Sequence, residues 1–311
     1  MIWSFSEQRI FKKCPRQWFY KAVFADALAK DPARHEAYLL SKLLTVSAWR
    51  GMIVDSTIQD FIVPELNNCK RPTSGEALKY ARRLFDRQLA FARGHRLREP
   101  GMTVKGAGDD MAAFFKLEYG GTIEESEYET AWRDVREALR SLYRLDEVRR
   151  LVREGCKRIA QRVLMFDHCG AHVRAIPDLI VFYTDRPPLI LDWKVHTFGI
   201  HDSADQLTTY ALALTRANPH KDFVRPPGGW KATEVELLEV QLLRELVRRH
   251  PVEESDAEAT SERIAEGIVE LQFACDGKRP SEMRAEDFPT AWNPQTCQSC
   301  RFRKICWSSP S

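Results

Sequence analysis

The stretch RVLMFDHCGAHVRAIPDLIVFYTDRPPLILDWKV, residues 162 to 195, constrains the fold of this chain most. Three runs rich in β-branched and aromatic residues are separated by the turn-forming segments HCGA and TDRPP, the pattern of a β-meander. The last run, LILDWKV, places an aspartate and a lysine two positions apart in an otherwise apolar strand. Strand side chains alternate faces, so Asp192 and Lys194 project to one side and Leu191, Trp193 and Val195 to the other. Such a pair has no packing use in a buried strand.

The flanking sequence is organised by a different period. Ser4 and Glu7 form a capping signal for a helix from about 5 to 14, which Pro15 ends or kinks. From about 36 to 160 apolar residues recur at three- and four-residue spacing, as in EAYLLSKLLTVSAWRGMIVDSTIQDFI and AWRDVREALRSLYRLDEVRRLVREG. Gly and Pro break this helical stretch at CKRPTSG, REPGMTVKGAGDD and YGGT. After the meander come a helix, SADQLTTYALALTRA, a strand, TEVELLEVQLL, a helix near 258 to 274 and a cysteine-rich tail. The order predicts an α/β core with a large helical insertion near its front. It divides into 1–35 (the N-terminal helix), 36–160 (mainly helical), 161–250 (the β-rich core) and 251–311 (the last helix and the cysteines), all within one composite domain.

Charge and hydropathy narrow the function classes. The 47 Lys+Arg against 44 Asp+Glu leave a formal charge of +3 over 311 residues, so any nucleic-acid surface has to be a local patch. The N-terminal segment lacks the apolar run of a signal peptide, and no run of about 18 apolar residues suggests a membrane span. The expectation is a soluble, cytosolic protein with no membrane partner. Eight cysteines in that compartment read as thiols or metal ligands rather than disulfides. No G-x-x-x-x-G-K-[ST] or H-E-x-x-H occurs, which argues against P-loop ATP hydrolysis and zinc-protease chemistry.

Asp178 begins the second half of the middle run, in IPDLIVF. If its strand neighbours LILDWKV, Asp178 and Asp192 converge on one face near Lys194. Two carboxylates with backbone or water oxygens suit a hard divalent cation, Mg²⁺ or Mn²⁺. Such a site can polarise a phosphoryl oxygen while the lysine positions a water and offsets developing charge, which is the chemistry of phosphodiester hydrolysis. A bare D-x-K is also what a solvent-side charge pair looks like, and Asp178 alone reads as a turn cap.

In context, IPDLIVF and LILDWKV resemble the core of the PD-(D/E)XK nucleases, with Asp in place of Glu. More closely, they resemble the RecB-like branch, in which a helix bearing Q-x-x-x-Y follows. This chain has Gln206 and Tyr210 in DQLTTYALAL, one turn apart on one helix face. The resemblance implies a restriction-endonuclease-like mixed sheet flanked by helices and a metal-dependent deoxyribonuclease, in particular an exonuclease acting on single strands or DNA ends. Asp178 and Asp192 would be its metal ligands, Lys194 its catalytic lysine, and Gln206 and Tyr210 further members of the site. The family pattern G-x-x-V-H appears here as Gly51-Met52-Ile53-Val54-Asp55, so Asp55 takes the histidine's place as a possible third metal ligand. The same departure motivates a second reading, a catalytically impaired DNA-end-binding or scaffold subunit of a DNA-processing complex. Partners implied are DNA and a separately encoded helicase, recombination or CRISPR-adaptation protein.

Cys297, Cys300 and Cys306, in TCQSCRFRKIC, form a compact set of three thiolates, one short of a closed site. The resemblance extends to RecB-like nucleases with an iron-sulfur cluster, in AddB subunits and CRISPR-adaptation nucleases, where one cysteine precedes the core and three follow. It implies Cys14 as the fourth ligand of a 4Fe-4S cluster. Four thiolates also suit zinc, and Cys14 as a buried apolar residue is the plain alternative. Cys69, Cys156, Cys169 and Cys275 show no partner pattern. Arg149, Arg150, Arg153, Lys157, Arg158 and Arg162 read as a basic helical run, either a solvated face or a phosphate-binding one. Trp18, Phe19 and Tyr20 could stack on bases, although core packing is expected for at least two of them.

Overall fold

The computed structural model describes residues 1–195, 203–226 and 228–308. Its strands are β1 (Ile2–Trp3), β2 (Leu43–Leu44), β3 (Ala113–Phe114), β4 (Lys157–Ala160), β5 (Leu164–His168), β6 (Ala171–Ala175), β7 (Leu179–Phe182), β8 (Leu189–Lys194), β9 (Glu236–Gln241) and β10 (Leu246–Arg249). The central sheet has five strands in the order β10-β9-β8-β7-β4, β1-β6-β5 form a second sheet and β2-β3 a short third. In the central sheet only β8 and β9 run parallel, and the helix Ser203–Arg216 lies in the chain between them, the crossover a parallel pair needs. The fold is thus a mixed α/β, restriction-endonuclease-like architecture, with the helical insertion before it and the cysteines after it.

The expected meander does not stay in one sheet. Its middle run breaks at Ile176-Pro177 into β6 and β7, which belong to different sheets. Proline has no N–H for a ladder and restricts the residue before it, so the strand cannot continue through this point. Asp178 therefore sits at a chain crossing between the sheets rather than inside a strand.

A second difference concerns residues 155 to 160. The helix Asp146–Glu154 ends at Gly155, and Lys157–Ala160 pairs antiparallel with β7 instead of extending the helix. A Cβ at position 155 would lie 2.3 Å from Val181 Cγ1, so glycine permits the backbone's close approach to the sheet. Lys157 and Arg158 consequently leave the basic helical face. Arg158 is buried, with its guanidinium donating to the carbonyls of Val152 (2.6 Å) and Arg153 (2.5 Å).

The central sheet separates two apolar cores. Leu179, Leu191, Trp193 and Leu238 face the helical region with Trp49, Phe85 and Leu139. Ile180, Ile190 and Leu237 face the helices Ser203–Arg216 and Glu254–Cys275 together with the chain ends. The N-terminal helix Phe5–Lys13 starts as its capping signal predicts, with Ser4 accepting from the Glu7 N–H, and Pro15 opens a new turn, Pro15–Phe19. Trp18, Phe19 and Tyr20 are all buried, Phe19 stacked on Phe288 (5.1 Å) and Tyr20 on Phe302 (5.8 Å), so all three are core residues rather than base platforms. Among the described residues no helix is long and apolar enough to cross a membrane.

Candidate active site

Strand register assembles the site. Leu179 is opposite Leu191 in the antiparallel pair β7-β8, so the next pair outward is Asp178 and Asp192. On the other side Asp192 is the parallel partner of Glu239, and Glu239 the antiparallel partner of Arg248. The β4-β7 register, carried one pair beyond Ala160 and Leu179, adds Gln161 opposite Asp178. A polar row thus crosses a sheet that is otherwise apolar: Gln161, Asp178, Asp192, Glu239, Arg248. Strand alternation puts these side chains on one face, the face of Ile180, Ile190 and Leu237.

Within the row, the Asp178 carboxylate is held at both oxygens, accepting from Gln161 Nε2 (3.0 Å) and from the Trp193 backbone N–H (2.9 Å). Asp192, 2% exposed, pairs with Lys194, Nζ to Oδ2 at 2.5 Å. Lys194 Nζ also donates to Gln206 Oε1 (3.5 Å), and Gln206 Nε2 donates to the Tyr210 hydroxyl (2.5 Å). The one-turn spacing of Gln206 and Tyr210 on their helix is what lets the chain Lys194, Gln206, Tyr210 form. Asp55 comes from the helix Val46–Thr57, whose neighbours Ile53 and Val54 are buried in the helical core.

The electrostatics join these groups. Burial, then the charge of Asp192, pushes the Asp55 carboxyl up to about 7, against the opposing pull of Lys194. Burial and the charges of Asp192 and Asp55 likewise raise Asp178 well above the usual carboxylate range, although the Trp193 N–H and Lys194 pull it down. Burial and the charges of Asp192 and Asp178 raise the Tyr210 phenol far beyond titration near neutrality. Two carboxyls, Asp55 and Asp178, that resist ionisation beside the charge of Asp192 and one ammonium make a site that favours an added cation. Their hard oxygen donors fit Mg²⁺ or Mn²⁺. Among the described residues no group of three or more His, Cys, Asp or Glu side chains is arranged as a finished metal-ligand set, so the carboxylates would have to draw in around an ion.

Gln161 and Glu239 were not among the residues expected here. Gln161 lies in a bend at φ 50° and offered no pattern. Glu239 and Gln241 did carry a signal, the same one that drew attention to Asp192 and Lys194: charged or amide side chains two apart in a strand buried on both faces. Glu239 is 1% exposed and accepts from Gln241 Nε2 at 2.6 Å. Burial alone would raise its carboxyl, but hydrogen bonds from Gln241 and Ser203 and the charges of Arg248 and His250 outweigh it and lower its pKa.

The four cysteines converge where the chain ends meet. Cys14, Cys297, Cys300 and Cys306 line one small cavity closed by Tyr20, Phe302 and Trp307. Burial, reinforced by the three neighbouring sulfurs, pushes the Cys300 thiol up to about 11, while the Phe302 N–H lowers it. N–H groups already point at two of the sulfurs, Gln17 at Cys14 (3.4 Å) and Phe302 at Cys300 (3.4 Å), and Arg16 hydrogen-bonds Cys306. Such donors stabilise metal-bound thiolates, so the donor chemistry suits a four-thiolate group, although among the described residues the sulfurs, like the carboxylates, are not arranged as a finished ligand set. Cys69, Cys156 and Cys169 are exposed and Cys275 is buried elsewhere.

A paired-aspartate and lysine site on a mixed sheet defines a class of nucleases. A family model of the PD-(D/E)XK nuclease superfamily matches residues 2–307, and the chain belongs to that superfamily. No curated protein matches it. Among solved structures it is similar to SSO0001, at 15% identity over 73% of this chain and 96% of that one, with a TM-score of 0.29. Protein VC1899 from Vibrio cholerae is matched at 12% identity over 75% of this chain and 61% of that one, with a TM-score of 0.24.

Proposed function

We propose that this protein is a metal-dependent deoxyribonuclease that hydrolyses phosphodiester bonds at DNA ends or in single strands. The observation that carries the reading is the pairing of Asp178 with Asp192 in register, two positions from Lys194, on a face where burial keeps Asp178 reluctant to ionise. Asp178, Asp192 and Asp55 would hold a divalent cation, which supplies Lewis-acid polarisation of the phosphate and a more acidic attacking water. Lys194 orients that water and offsets charge on the phosphate. Gln206 holds the Lys194 ammonium from the helix side, and Tyr210 holds Gln206, so the lysine is aimed before substrate arrives. Asp55 remains a competent oxygen ligand, which favours the enzyme over the scaffold reading.

The four-cysteine cavity supports a structural 4Fe-4S cluster as part of the same reading, with zinc the competing occupant. Protein purified without oxygen should be brown and contain about four irons per chain, the content of a 4Fe-4S cluster. Colourless, zinc-loaded protein would replace the iron assignment.

The deciding experiment for the activity is digestion of end-labelled single- and double-stranded DNA with Mn²⁺ or Mg²⁺, beside Lys194→Ala and Asp192→Ala. Metal-dependent cleavage lost in both variants, with folding intact, supports the assignment. Full activity in both variants sinks it. Tight DNA binding without turnover in either metal would favour the scaffold subunit.

A further inference from the structure

A cavity lies behind the D-x-K strand, on the face opposite the carboxylates, and nothing in the nuclease reading uses it. Its floor is Leu179 and Trp193. Ile58 and Ile62 form one wall, and Leu142, Val148 and Val152 the other. The first wall belongs to a single π-helical turn, Ile58–Ile62, inserted where Pro64 cannot donate to the helix ladder and the Val63 N–H reaches back to the Ile58 carbonyl. Such turns inside α-helices occur frequently at functional sites.

Only a few polar groups reach this space. The Tyr143 hydroxyl is buried and makes no hydrogen bond. Arg71, Arg149 and Arg153 stand at the rim. Arg149 is half-buried and shares its Nη1 with the exposed Asp146 at 2.9 Å, and Arg153 Nε donates to the Arg149 carbonyl at 3.2 Å, so both guanidiniums keep donors for a ligand. An apolar body with one anionic head matches this arrangement. A nucleobase does not, because its polar edge would find one hydroxyl and otherwise hydrocarbon. The cavity volume, about 90 Å³, is several times what one water needs and limits the body to a ring or a short chain.

We infer that this cavity binds a small amphipathic anion, a short apolar chain or ring bearing a single phosphate, sulfonate or carboxylate held by Arg71, Arg149 and Arg153. The ligand would touch the backs of three segments that carry the acidic site. Trp193 lies between Asp192 and Lys194 and gives its N–H to Asp178, Leu179 follows Asp178, and Ile58 is one turn beyond Asp55. Occupancy is thereby placed to adjust the spacing of the carboxylates. The binding claim itself does not depend on the nuclease reading.

The test is calorimetric titration of the full chain with butyl phosphate, butanol, butylammonium and thymidine monophosphate. Butyl phosphate should bind one per chain and at least about tenfold more tightly than the other three, a difference set by one charged head. Arg71→Gln with Arg149→Gln should remove that preference while butanol binding persists. Val152→Trp, which fills the cavity, should abolish binding of both. Absence of saturable binding, equal affinity for the neutral or cationic analogue, or preference for the nucleotide would each overturn the inference. So would unchanged selectivity in the double arginine variant, which removes no core atoms and so tests the claim even if Val152→Trp fails to fold.

Discussion

Asp55 and Asp178 are carboxyls whose folded surroundings oppose their charge, and this gives their contribution to stability a definite sign. With Asp55 raised to about 7, the folded protein binds more protons than the unfolded chain above the usual aspartate value. Stability from Asp55 is therefore present at acid pH and falls as pH rises through the window from about 4 to about 7, and Asp178, raised in the same direction, adds to the fall. A divalent cation favours the ionised carboxyls and reverses the trend. Metal-free protein should show a lower thermal midpoint at about pH 8 than at about pH 5, Asp55→Asn should flatten that difference, and Mn²⁺ should raise the midpoint far more at the higher pH. Equal Mn²⁺ effects at both pH values would contradict the site. Gln161 offers a separate check on how Asp178 is held. Gln161→Asn tolerates the left-handed backbone but withdraws the amide from Asp178 Oδ1, and should slow metal-dependent cleavage about tenfold with little change in stability. The residues on regular elements, Asp178 at a strand's edge, Asp192 and Lys194 two apart, Gln206 and Tyr210 four apart, were legible in the sequence because alternation and helical period determine their faces. Gln161 was illegible because a bend has no period.

At the scale of elements, hydrophobic period found the long helices and the core strands and failed where an element is too short to display one. β1, β2 and β3 are two residues each and exist only because partners elsewhere in the chain supply the ladder. β4 was absorbed into the preceding helix since Lys157 and Arg158 continue its basic composition. The decisive residue was Gly155, whose role is a tertiary contact with β7 that no local window contains. Gly155→Ala should destabilise the protein by about 1–3 kcal/mol through overpacking against Val181. Urea denaturation measures this, and adding Val181→Ala should recover part of the loss. Additive losses in the double variant would show that the strain lies elsewhere.

At the scale of the molecule, the chain ends close on each other. Arg16 donates through Nε to the Phe288 carbonyl (2.9 Å), its backbone N–H reaches the Pro289 carbonyl (3.1 Å), and Arg301 bonds the Ser41 carbonyl (2.8 Å). Phe302 is fully buried against Tyr20. A group bound by Cys14, Cys297, Cys300 and Cys306 would lock this closure across nearly the whole chain, where a cross-link restricts the unfolded state most, by about 5–6 kcal/mol in the loop-entropy model. The acidic site draws its geometry from strand register instead, with Asp178 held by Gln161 and Trp193 and Lys194 by Gln206. Cys300→Ser should therefore bleach the protein, lower its thermal midpoint and expose residues 288–308 to limited proteolysis, while metal-dependent cleavage at low temperature persists. Loss of cleavage in a variant that still unfolds cooperatively would mean that the closure also shapes the path of DNA to Lys194. An unchanged midpoint would mean that the aromatic contacts of Phe288 and Phe302, rather than the thiolates, hold the ends together.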